Sequence, residues 1–126
     1  MTKLTQHFFK ALAVCVGDQP VKKRLASAWV THLDCINSQE LPQAIRREFH
    51  KLRAAMYTEL PIPGEHAADA SVRKMSARAA AYHARTIVSI YGLLSMLDQY
   101  QGEGQPGDIV LHIEESCGRE TDRTLN

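Results

Sequence analysis

Along most of this chain apolar side chains recur at spacings of three and four, the spacing that holds one stripe of a helix against a partner. The longest such run is Ser71–Tyr100, which has no proline and one glycine, Gly92. Its stripe reads Val72, Met75, Ala79, Tyr82, Thr86, Ile90, Leu93, Leu97. At ~1.5 Å per residue, one continuous helix here would be roughly 45 Å long. Asp69 or Ser71 is its expected cap. The second half, from Ile87 to Leu97, is apolar nearly all round. Such a helix needs cover on every side, from its own domain or from a second copy.

Three shorter helices precede it. Leu4, Phe8, Ala11, Leu12 and Cys15 share one face over residues 3–16, and Gly17 supplies a stop. The next helix is expected from about Gln19 to Ile36, with Pro20 in its first turn and Val21, Leu25, Ala28, Trp29, His32, Leu33 and Ile36 as its stripe. The third begins at Pro42 and carries Ile45, Phe49, Leu52 and Met56 at helical spacing. Leu60-Pro61-Ile62-Pro63-Gly64 then breaks the chain, because two prolines and a glycine cannot continue a helix. After Tyr100, the sequence QGEGQPGD reads as a flexible exit. Beyond it, Ile109–Ile113 is a short apolar run between Asp108 and Glu114-Glu115, able to form a strand or to dock in a groove. The expected architecture is all-α: a small antiparallel bundle of about four helices over residues 1–100, one long C-terminal helix, and a flexible acidic tail over 101–126.

Composition supports a helical core, since there is one tryptophan and few other aromatics to build a sheet sandwich. Charge is unevenly placed. Residues 1–100 carry 13 Lys/Arg against 8 Asp/Glu, while residues 101–126 carry 2 against 6. A basic body with an acidic tail raises two alternatives, a solubilising end or a tail that folds back and competes with an anionic partner. The three cysteines, Cys15, Cys35 and Cys117, are widely spaced and include no CxxC pair, which favours a reducing compartment. Lys10 interrupts the apolar N-terminal stretch, so no signal peptide is expected there. No run approaches the ~18 apolar residues of a membrane span. The expected location is cytoplasmic, away from membranes.

Candidate chemistry is sparse. There is no nucleophile elbow, no glycine-rich phosphate loop and no paired Glu-x-x-His of a di-iron bundle. No catalytic residue and no cofactor is therefore assigned. His32 and Cys35, one turn apart, are the best pair for a shared zinc, but two ligands do not make a site. On a continuous helix at 100° per residue, Lys74, Arg78 and Arg85 fall on one face. With Arg46 and Lys51 of the preceding helix they form the candidate anion- or partner-binding surface. The pattern Trp29, Asp34-Cys35, Leu41-Pro42 and Arg46 resembles the middle of the flagellar regulator family FlaF, over Trp29–Arg46 alone. That resemblance implies a small regulatory binder.

The sequence reading is thus a non-enzymatic interaction or regulatory protein that binds an acidic protein or other anionic partner. A homodimer through Ile87, Tyr91 and Leu94 is a further expectation. Two alternatives stand beside it: nucleic-acid binding through the basic faces of the third and fourth helices, and a small metal-binding protein using His32 and Cys35.

Overall fold

The structure is a computed structural model and describes residues 2–102. Five α-helices account for most of them: α1 (Lys3–Cys15), α2 (Val21–Ala28), α3 (Gln43–Met56), α4 (Ala67–Lys74) and α5 (Ala77–Gly102). A π-helical turn, Trp29–Leu33, continues α2, and a short 3-10 turn, Ser38–Glu40, precedes α3. Among the described residues there is no strand, so the domain is all-α as expected. No described helix is long and apolar enough to cross a membrane. The acidic tail and the Ile109–Ile113 run lie outside the described residues.

Local chemistry explains where the helices start and stop. Thr2 caps α1, its Oγ1 accepting the Thr5 N–H at 3.2 Å. At the other end, the Arg24 guanidinium donates to the Cys15 and Gln19 carbonyls, both at 2.6 Å, and so satisfies oxygens that a helix end leaves without partners. Pro20 and Pro42 each stand immediately before a helix, where a missing N–H costs nothing. Gly64 turns the chain between α3 and α4 with a φ of 86°, a conformation open to glycine at little cost.

Two expected helices are built differently. The second ends its α geometry at Ala28 and passes into the π turn instead of running on to Ile36. The long helix is two helices. His66 caps α4, whose last residue is Lys74; Met75 is extended (φ −88°, ψ 160°), and α5 starts at Ala77. The Ser76 hydroxyl accepts the Ala79 N–H at 3.0 Å, so a serine inside an otherwise helical pattern acts as a new cap. The break resets the register. The inner face of α5 is Ala80, Ile87, Ile90 and Leu94, all at most 1% exposed. Tyr82 and Leu93, expected on the core stripe, are 54% and 45% exposed.

Helices α1, α2 and α3 all pack on α5, and α4 closes over α2 and α3. At the centre, Phe49 meets Trp29 in a stacked contact at 5.5 Å and Phe8 edge-on at 6.0 Å. All three side chains are fully buried, and each buried aromatic of this size contributes about 2–3 kcal/mol. Ile87 and Leu94 belong to this core, and Tyr91 is half-buried with its ring 5.8 Å from that of Phe9. The expectation that Ile87, Tyr91 and Leu94 form an outer face for a homodimer is therefore corrected as to these side chains. Those side chains are engaged by α1 and the rest of the chain's own core.

Candidate functional site

Helix α3 has two flanks with opposite characters. One faces the π turn and the 3-10 turn. The i→i+5 bond from the Asp34 N–H to the Trp29 carbonyl (2.8 Å) brings residues five apart one above the other, where α geometry would leave them about 140° apart. Asp34 consequently lies beneath Trp29, and its Oδ1 accepts the indole N–H at 2.9 Å. The same oxygen accepts the Tyr57 hydroxyl at 2.5 Å, and Oδ2 lies 3.2 Å from His66 Nε2. Because His66 Nδ1 accepts the Ala68 N–H at 2.8 Å as the cap of α4, the ring hydrogen is on Nε2 and points at Asp34. One carboxylate thus ties α2, α3 and α4 together.

Arginines complete this clasp. Arg53 donates to the Asp34 carbonyl at 3.3 Å and to the Ile36 carbonyl, and its guanidinium lies 5.3 Å from the Trp29 ring and 5.1 Å from the Phe49 ring. Arg46 donates to the carbonyls of Ser38 (3.1 Å), Leu41 (2.9 Å) and Gln39 (3.4 Å). Burial by itself would raise the Asp34 carboxyl, yet hydrogen bonds from Tyr57, His66 and Trp29 outweigh it and hold it below the usual carboxylate range. Partial burial and the bond to Asp34 push the Tyr57 hydroxyl up to about 12. Every strong polar group of the cluster has a partner inside it.

The opposite flank of α3 borders α5 and is open. A groove of about 400 Å³ is lined by Ile45 and Glu48 of α3 and by Tyr82, Arg85, Thr86, Ser89, Ile90 and Leu93 of α5. A second hollow, about 260 Å³, lies toward the far end of α3, among Ala55, Thr58, Glu59, Ser71, Lys74 and Met75. A third, about 360 Å³, lies at the end of α5, beside Met96, Leu97, Gln99 and Tyr100. Tyr82, Thr86, Ser89, Leu93, Met96 and Tyr100 follow one another at intervals of four and three, so they form one outer ridge of α5. Leu93, Met96 and Tyr100 are 45%, 64% and 48% exposed. Such a run of exposed large apolar side chains beside a groove is the usual mark of an interaction surface.

The five residues expected to bind an anionic partner do not form one surface. Arg46 lies on the clasp flank, where it holds backbone carbonyls. Lys51 is on the groove side, 3.9 Å from Glu48. Lys74 lines the hollow toward the end of α3, Arg78 is exposed on α5, and Arg85 lines the groove. Because the chain breaks at Met75, Lys74 does not share a helical face with Arg78 and Arg85. That geometric expectation is corrected, although Arg78 and Arg85 remain together on the outer side of α5. Cys35 is disulfide-bonded, which corrects both the expectation of reduced cysteines and the pairing of His32 with Cys35 on a metal; among the described residues no three of His, Cys, Asp and Glu are grouped so as to hold a metal ion. Burial, with Lys10 nearby, lowers His32, and burial also lowers His83.

Sequence reading passed over Asp34, Tyr57 and His66 as parts of a site. The Trp29–Asp34 spacing of five was the only local sign of the clasp, because Tyr57 and His66 arrive from other helices. No family model, no curated protein and no solved structure matches this chain, so the resemblance to FlaF finds no support.

Proposed function

We propose that this chain is a small, non-enzymatic interaction protein whose α3–α5 groove takes an amphipathic partner bearing acidic groups. The observation that carries this reading is the exposed ridge Tyr82, Leu93, Met96 and Tyr100 alongside the groove, with Arg85 in its lining and Arg78 one stretch earlier on the same outer side. Apolar groups on the ridge supply contact area, and the arginines fix orientation by charge-assisted bonds. The Glu48 carboxylate in the groove lies 3.9 Å from Lys51, which lessens its repulsion of an incoming anion.

The Asp34 clasp does not compete for this role. An enzyme centre needs a concave space where a reacting atom meets the acid or base, whereas Asp34 already accepts from Trp29, Tyr57 and His66.

The test is affinity capture with the wild-type chain and with the double variant Arg78→Glu/Arg85→Glu. Acidic proteins retained by the wild type are expected to be lost from the variant, with apolar contacts alone unable to hold them. Equal retention of the same proteins by both chains would overturn the reading. Retention of nucleic acid instead, falling steeply with salt, would favour a nucleic-acid partner.

A further inference from the structure

The outer ridge of α5 is complementary to itself. We propose that two copies of this chain pair through that ridge, α5 running antiparallel to α5 about a two-fold axis level with Tyr91. The proposal goes beyond the groove reading, since its test needs no acidic partner; a second copy and such a partner would exclude one another.

Spacing is the first observation. Tyr82, Thr86, Ser89, Leu93, Met96 and Tyr100 alternate by four and three, the 3.5-residue period of a seam between two helices. Ile87 and Leu94 already face the chain's own core, which leaves the ridge as a second, half-exposed seam. Size is the second. Antiparallel pairing about Tyr91 sets Leu93 of one copy over Ser89 of the other, Met96 over Thr86, and Tyr82 beside Tyr100. Each large aliphatic side chain thus meets a small one, and the tyrosines form aromatic pairs. The groove of about 400 Å³ beside Thr86 and Ser89, lined also by Ile45 and Ile90, is the hole that a methionine knob needs. Nothing lies within 4 Å of where a Cβ on Gly92 would stand, so the backbone is bare for close approach near the axis.

Charge sets the direction. Arg78 and Arg85 lie toward the start of α5, whereas the helix ends at Gly102 and Glu103 follows in the sequence. An antiparallel pair brings each Arg78 to the carboxyl end of the other helix, where the dipole is negative. A parallel pair would set each arginine against its own copy. Area sets the strength. Tyr82, Leu93, Met96 and Tyr100, each about half-exposed, present roughly 350 Å² of apolar surface per copy. Apolar atoms make up somewhat over half of an interface, so two copies bury roughly 1,100 Å² in total. That is close to the lower bound for a specific interface and fits a dissociation constant on the order of 50 μM. At low micromolar concentration most chains are therefore single.

The experiment is sedimentation equilibrium of the full chain from about 1 to about 200 μM. The mass is expected to rise from one chain toward two and to stop there. A wild type that stays single throughout, or grows past two, would overturn the proposal. Leu93→Asp/Met96→Asp should weaken pairing at least tenfold, with circular dichroism confirming equal helicity. Ser89→Gln separates pairing from folding: glutamine is the better helix former, so thermal stability should hold or rise while pairing weakens several-fold. Undiminished pairing of either variant would refute the ridge as the interface. Orientation is read from spin labels on Gln99→Cys, about 25 Å apart in the antiparallel pair; about 10 Å would mean a parallel pair and overturn the proposal. If the wild type stays single while acidic proteins are still captured through Arg78 and Arg85, self-pairing falls and the groove reading stands. If it pairs as described and captures none, self-pairing stands and the groove reading falls.

Discussion

The two flanks of α3 hold the same kinds of residue and use them in opposite ways. On the clasp side, Arg46 and Arg53 donate to backbone carbonyls of the irregular connection between α2 and α3, and Asp34 accepts from three side chains on three elements. On the groove side, Arg85 lines an open space beside apolar side chains that remain in contact with water. Where a helix borders a non-helical stretch, backbone carbonyls compete for cations and the fold absorbs them. Where it borders another regular helix, the backbone is already satisfied and cations stay exposed. A count of basic residues cannot separate these cases; the neighbour of each flank does.

The comparison can be broken at its shared centre. Phe49 packs against Trp29 and Phe8, so Phe49→Ala should cost about 3–5 kcal/mol in chemical denaturation and loosen both flanks. An effect below 1 kcal/mol would mean that the two flanks do not share one core. Asp34→Ala removes the acceptor of the buried Trp29 N–H, and about 2 kcal/mol of stability should go with it. Partner binding, measured at a temperature where the variant is folded, should be unchanged. Arg46→Ala should cost about 1–2 kcal/mol by removing its bonds to three carbonyls, again without loss of binding. Loss of binding at constant stability would return Arg46 to the interaction surface.

The pH dependence of the clasp has two limbs. The folded-state carboxyl of Asp34 titrates lower than in the unfolded chain. Its stabilising contribution is therefore present above about pH 4, the ordinary carboxylate value, and is lost as pH falls through the lower folded value. For Tyr57, raised to about 12, the contribution is full below the ordinary value near 10 and is lost as pH rises from there to about 12. Thermal midpoints of wild type and Tyr57→Phe, followed across both ranges, should converge at high pH. Smallest of all in stability should be the groove changes. Leu93→Asp and Arg85→Glu, both on the open side, are expected within about 0.5 kcal/mol of wild type, and their effect should appear in binding.

Much of the fold was legible because it rests on local spacing. The stripes Leu4-Phe8-Ala11 and Ile45-Phe49-Leu52-Met56 entered the core as read, since a period near 3.6 leaves one face for them to bury. The Ser71–Tyr100 helix was misread because a mid-pattern Ser76 and its cap carry the same apolar neighbours as an uninterrupted helix would. Once the chain restarts at Ala77, Tyr82 and Leu93 rotate outward and Ile87 and Leu94 rotate inward. The candidate site suffered from the same shift, because the basic row and the proposed dimer face were both drawn on the continuous register.

The sequence by itself determined the all-α class, the major breaks, the core aromatics and the separation of a basic body from an acidic C-terminal region. Each follows from residue spacing, proline and glycine, or charge counted along the chain. Tertiary structure alone decided which cations are held by carbonyls and which stay open, that Tyr57 and His66 meet beneath Trp29, and which side of α5 faces water. Those outcomes depend on atoms distant in sequence competing for the same partners, and no periodicity along one helix records who its neighbours are.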